Sequence, residues 1–172
     1  NTPSQSSDMK PTILRAASLS LLITLASCGG ADPSTQVKDS YSALSSRDYA
    51  GAEAGFSEAL QGLEPGSPEH MRAQLGLYRA RSYSDPAGAK ADFLVYAKAN
   101  NLEIIDYTQL ISDLVSGDHL DEAIAIVAEM KTIFPDEPKV DDMGNMLVAK
   151  AKSAGDAGAL DALSGLGYVG ND

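Results

Sequence analysis

The chain has no tryptophan, three phenylalanines, two histidines and one cysteine among 172 residues. A single cysteine cannot form an internal disulfide. Cys28, His70 and His119 are far apart and too few to fill a structural zinc site of the usual tetrahedral nitrogen and sulfur kind, so no metal is expected. With 6% aromatic residues, the chain is thin for an aromatic-rich β-sandwich or a cofactor pocket. Basic residues are also scarce, 13 against 24 acidic, and the net charge of −11 disfavours nucleic acid as a partner. What remains is 44% hydrophobic residues, enough for one helical domain.

The clearest segment lies near the start. Residues 9–15 carry Met9, Lys10 and Arg15; an apolar run follows from Ala16 to Ala26, then Ser27 and Cys28. A basic segment, a hydrophobic segment and a small-residue exit are the grammar of a secretory signal. The apolar run is 11 residues long, short of the roughly 20 that span a bilayer. Leu25-Ala26-Ser27-Cys28 resembles the lipobox of bacterial lipoproteins. That resemblance implies diacylglyceryl attachment at Cys28, cleavage just before it, and anchoring in the cell envelope. Gly29, in place of aspartate, favours the outer membrane by the same analogy. The expected organisation is upstream sequence over 1–8, a lipoprotein signal over 9–27, the lipidated cysteine with a flexible Gly/Pro/Ser leader over 28–34, a helical domain over 35–169, and a tail over 170–172. The exported body is acidic, so the lipid rather than a basic patch must hold it at the membrane.

Beyond the leader, apolar residues recur at helical spacing: Val37, Tyr41 and Leu44 on one face, Met71, Leu75 and Tyr78 on another. Strand-like alternation is hard to find, and the coarse reading is all-α. Four segments superpose on Ala52, Ala89, Ala123 and Ala159, at steps of 37, 34 and 36 residues. Four residues after each alanine comes a larger apolar residue: Phe56, Phe93, Val127 and Leu163. Each segment is preceded by a turn aspartate, Asp48, Asp85, Asp118 or Asp156, suited to accept hydrogen bonds from the free N–H groups of the next helix. Turn and buried face therefore repeat together.

This pattern resembles the tetratricopeptide repeat, with Arg47-Asp48-Tyr49 through Ala59-Leu60 and Pro65, Leu75-Gly76 with Ala89 and Phe93, and Gly117-Asp118 with Asp121-Glu122-Ala123-Ile124 and Pro135. The resemblance implies a right-handed stack of antiparallel helix hairpins, about three plus a short capping helix over 157–165. Small residues let paired helices approach, and Phe56 and Phe93 fill the gap between one hairpin and the next. Tyr168 and Val169 are placed beneath the cap.

Chemistry is not indicated. His119 beside Asp118, Asp121 and Glu122 reads as an exposed turn, and His70 as a solvated first-turn residue. Asp121-Glu122, Asp136-Glu137 and Asp141-Asp142 mark helix starts, where negative charge suits the helix dipole. No nucleophile elbow, phosphate loop or zinc-protease helix is present, and neither a cofactor nor a small-molecule substrate is expected. Stacked hairpins instead imply a groove lined by the first helix of each repeat. Counting back from the aligned alanines places Tyr41, Gln74, Tyr78, Arg81, Thr108 and Ser112 there, with Val37, Leu44 and Val115. Tyr41 and Tyr78 fit the hairpin core equally well. The expected function is protein–protein interaction in the envelope, as an adaptor or assembly scaffold. The alternative is a non-catalytic accessory subunit of an envelope enzyme, secretion or transport complex.

Overall fold

Helix starts in this chain are written in aspartate, serine and proline. The computed structural model describes residues 32–170, and the described residues form eight helices and no strand: α1 (Pro33–Ser45), α2 (Tyr49–Gly62), α3 (Pro68–Arg81), α4 (Pro86–Asn100), α5 (Ile104–Ser116), α6 (Leu120–Ile133), α7 (Pro138–Ala154) and α8 (Ala157–Gly165). The fold class is all-α. The lipobox and Cys28 lie outside the described residues. The carboxylates of Asp32, Asp48, Asp85 and Asp156 each accept from a backbone N–H in the first turn of the helix they precede, and Ser67 does the same for α3. Prolines open α1, α3, α4 and α7, where a missing N–H costs nothing. The leader is accordingly shorter than expected: α1 begins at Pro33, and the Ser34 hydroxyl already bonds Glu69.

Asp118 departs from the expected cap. It occupies the left-handed position that Arg47 holds in the first turn (φ 61° and 64°), so His119 stands where Asp48 stands and is the residue preceding α6. Asp118 instead accepts from Lys150 at 2.8 Å, which holds its carboxyl below the usual range. The consequence is measurable. Asp156→Ala should cost about 1 kcal/mol in urea unfolding, the worth of a helix cap, whereas Asp118→Asn, which keeps a side chain that tolerates the left-handed backbone, should cost distinctly less, because it loses only an exposed ion pair.

Consecutive helices pack closely against each other except α4 and α5, and each odd helix also lies beside the next odd one: α1 by α3, α3 by α5, α5 by α7. On the other side α4 lies by α6 and α6 by α8. The result is two helical layers. Pro33 meets Gly62, so α1 starts where α2 ends; Ser34 bonds Glu69, so α1 and α3 start together. One edge of the layers therefore collects the starts of odd helices and the ends of even ones.

All eight repeat positions, Ala52, Phe56, Ala89, Phe93, Ala123, Val127, Ala159 and Leu163, are buried. Phe56 sits edge-on to Tyr41 of α1 and covers Gly76 of α3; Phe93 sits edge-on to Tyr78 of α3 and to Tyr107 of α5, which in turn meets Phe134. The phenylalanines thus bridge neighbouring helix pairs. At the far end Leu163 is the buried side chain of α8, while Tyr168 crosses Gly144 and donates its hydroxyl to the Val140 carbonyl at 3.3 Å.

Candidate interaction groove

The odd-helix layer carries a cleft built from positions that recur at the repeat spacing. Arg72, Leu75 and Arg79 precede Ala89 by 17, 14 and 10 residues, and Asp106, Gln109 and Asp113 precede Ala123 by the same intervals. On α3 and α5 these residues face one another. Arg79 Nε donates to Asp113 Oδ2 at 2.6 Å and its Nη1 to Gln109 Oε1 at 3.2 Å. Tyr83 donates its hydroxyl to the other Asp113 oxygen at 3.4 Å and stacks on Tyr49 with ring centres 3.5 Å apart. Burial, then the neighbouring Tyr49 hydroxyl and Asp113, push the Tyr83 phenol up.

Two cavities share Tyr41 and Arg79. The first, of about 390 Å³, is lined by Tyr41, Met71, Arg72, Leu75, Arg79 and Asp106, among others. The second, of about 260 Å³, continues past Arg79 to Arg47, Tyr49, Tyr83 and Asp113. Tyr41 is the hinge between them: its hydroxyl donates to the Arg72 carbonyl at 2.8 Å, and the Arg72 guanidinium lies over its ring at 5.0 Å. Burial raises the Tyr41 phenol, and likewise the Asp106 carboxyl, which loses water faster than the Glu103 N–H compensates. Of the four arginines among the described residues, Arg47, Arg72 and Arg79 line this cleft.

The six groove positions counted from the sequence do not come together. Tyr41 is in the cleft. Tyr78 is only 6% exposed, packed on Phe93 and Tyr96, with its phenol pushed up to about 12 by burial; it took the core half of its two readings. Arg81 bonds Asp85 and Asp92 at 2.8 Å on the α4 side, and Asp85 is held below the usual carboxylate range by it. Gln74 is half-buried but not among the residues lining either cavity. Thr108 is buried and returns its hydroxyl to Ile105; Ser112 is exposed and returns its own to Thr108. Val37 is core; Leu44 is buried too but lines the second cavity beside Tyr41. The true lining on α3 is displaced from the counted one by one or two residues, a rotation of 100–200° about the helix. Only the α3-to-α5 spacing of Arg79 and Asp113 could have revealed it.

The remaining candidates for chemistry lie in turns and first turns of helices. His119 is half-buried rather than exposed, pressed against Gly117. His70 is in the first turn of α3 as expected, but its Nδ1 is buried without a partner, so it is not simply solvated. Asp121 and Glu122 open α6, and Asp141 lies in the first turn of α7. Among the described residues, no three His, Cys, Asp or Glu side chains are grouped to hold a metal ion. Compared with protein-family models, with curated proteins and with solved structures, the chain matches none.

Proposed function

We propose that this protein is a lipid-anchored helical-repeat adaptor of the bacterial cell envelope, fixed through Cys28 to the periplasmic face of the outer membrane, with tetratricopeptide-like hairpins that present the α1–α3–α5 cleft to a segment of a partner protein. The observation that carries the reading is the cleft itself. Three arginines and three tyrosines gather there on a chain of net charge −11, and tyrosine and arginine are the residues that most often dominate binding energies. Asp113 already pairs with Arg79, so Arg47 and Arg72 supply the charge that complements carboxylate-bearing partner segments, while the acidic remainder of the surface repels unspecific ones. Support for the anchor is the lipobox resemblance; no described helix is long and apolar enough to cross a membrane.

A photo-reactive residue at Gln109 in the membrane-bound protein should yield one dominant cross-linked partner, and Arg72→Glu should weaken that capture tenfold or more. Cys28→Ala should abolish labelling by fatty acid and release the protein from the membrane fraction. Labelling that survives the substitution would refute the anchor. One observation favours the second reading, an accessory subunit held by its other layer: Val95 of α4 is 73% exposed beside a dent lined by Tyr78, Tyr96 and Ala99. Under that reading the adduct forms from Val95 and is indifferent to Arg72.

A further inference from the structure

Of the three large hydrophobic side chains exposed among the described residues, Val95 of α4 stands out furthest, at 73% against 42% for Ile105 and 43% for Ile133. The helix that carries it is only partly covered. In the even-helix layer α4 packs on α6 and α6 on α8, whereas α2 and α4 do not pack closely, so α4 has one neighbour there where α6 has two. The other exposed residues of α4 are Ala87, Ala91, Asp92, Lys98 and Ala99, and at 100° per residue all five lie within about 80° of Val95 around the helix. The buried Ala89, Phe93 and Ala97 take the opposite side. The free face is therefore low, with one projecting valine and a charge of each sign.

A hollow adjoins the valine. Asp92, Val95, Tyr96 and Ala99 stand at i, i+3, i+4 and i+7, the spacing of the four residues that frame one hole on a helix surface. With the buried Tyr78 they line a cavity of about 310 Å³. Tyr78 and Tyr96 meet edge-on, ring centres 5.8 Å apart, and fix its floor. Knob and hole thus share one face, and a two-fold axis passing beside Val95 uses both at once, the valine of each copy entering the hollow of the other.

The charges agree with that axis. Two α4 helices paired antiparallel about Val95 bring Ala91 of one copy level with Ala99 of the other, and Asp92 level with Lys98, each pair being equally spaced from residue 95. Asp92 keeps its 2.8 Å bond to Arg81, but Arg81 shared between Asp85 and Asp92 leaves one net negative charge for a lysine to balance. The alanines let the two axes approach closely. A parallel pairing would set like charges level with each other.

We infer that the Val95 face of α4 is a self-association surface, through which two copies of this chain pair antiparallel about a two-fold axis. The inference goes beyond the adaptor reading and rests on neither the lipid anchor nor the cleft. A second copy is the occupant because the face supplies both halves of the contact, knob with hole and lysine with carboxylate. One pair of 15-residue helices offers less than the roughly 800 Å² per partner of a standard interface, so the dimer is reversible and depends on concentration. The cleft belongs to the odd-helix layer and stays open in both copies, so the dimer presents it twice.

Sedimentation velocity of the full chain in mild detergent, at concentrations up to roughly 200 μM, tests this. The parent should pass from monomer to dimer as concentration rises. Val95→Glu, Asp92→Lys and Lys98→Glu should each weaken the dimer tenfold or more while leaving the helical circular dichroism and its thermal midpoint unchanged, since all three side chains are exposed. An equimolar mixture of Asp92→Lys and Lys98→Glu should recover the dimer, because each lysine then meets a carboxylate on the other copy. A parent that stays monomeric throughout, leaving the face to a foreign subunit, overturns the inference. So does a dimer indifferent to Val95→Glu, or a mixture no more dimeric than its two components.

Discussion

Gly76→Ala is expected to lower the unfolding free energy by about 2 kcal/mol, although alanine is the better helix former by about 1 kcal/mol. A Cβ at Gly76 meets three carbons of the Phe56 ring, and that ring is fully buried with Tyr41 against it. The ring has nowhere to go, because the same close packing brings α2 against both α1 and α3. Phe56→Leu in the same chain should restore part of the loss by shortening the side chain that is struck. Gly144→Ala is the contrasting case. A Cβ there meets the Tyr168 ring, which is half-buried on the segment following α8 and tied only by one long hydrogen bond and the Lys131 ammonium 4.6 Å from its centre. That ring can swing away, and stability should stay within about 0.5 kcal/mol of the parent, since the lost contact and the gain in helix propensity nearly cancel. Denaturant titration of both variants checks the pair, and a harmless Gly76→Ala would show that Phe56 is not the wedge described above.

Arg79→Ala is expected to fail on two counts that Arg72→Glu separates. The Arg79 side chain is 25% exposed and its partner Asp113 is 14% exposed. Removing the guanidinium leaves a largely buried carboxylate facing only the Tyr83 hydroxyl, which costs about 2 kcal/mol of stability. It also merges the two cavities that Arg79 divides and takes away a charged donor from the cleft. Partner capture should therefore fall below detection. Arg72 is exposed and touches Tyr41 through its face, so Arg72→Glu should leave the unfolding midpoint nearly unchanged while capture falls tenfold or more. Loss of capture by Arg79→Ala alone, with Arg72→Glu binding normally, would mean that the cleft is a structural ion-pair site.

The repeat was legible in the residues because it is enforced by packing at close range. Ala52, Ala89, Ala123 and Ala159 had to be small, and the residue one turn later had to be large, so a one-dimensional spacing carried the buried face. The turn aspartates were legible for a similar reason, since a cap bonds a backbone N–H only three residues on. Asp118 escaped because the turn before α6 holds its residues one place differently, and only the left-handed backbone at Asp118 shows it. The groove was harder. Counting back from the alanines crosses an inter-helix turn of variable length, and an error of one residue on a helix swings the side chain by about 100°. Tyr41 kept its place; Tyr78 turned inward onto Phe93, and Arg79 rather than Arg81 reached the cleft.

The sequence by itself determined the all-helical class, the eight small-and-large packing positions and the short C-terminal helix over Ala157–Gly165. Those depend on local bonds and on contacts that repeat with a fixed period. Only the tertiary structure decided that Arg79 meets Asp113 and that Tyr41 joins two cavities. Each of these depends on the rotation of one helix about its axis relative to another, which no spacing within a single helix encodes.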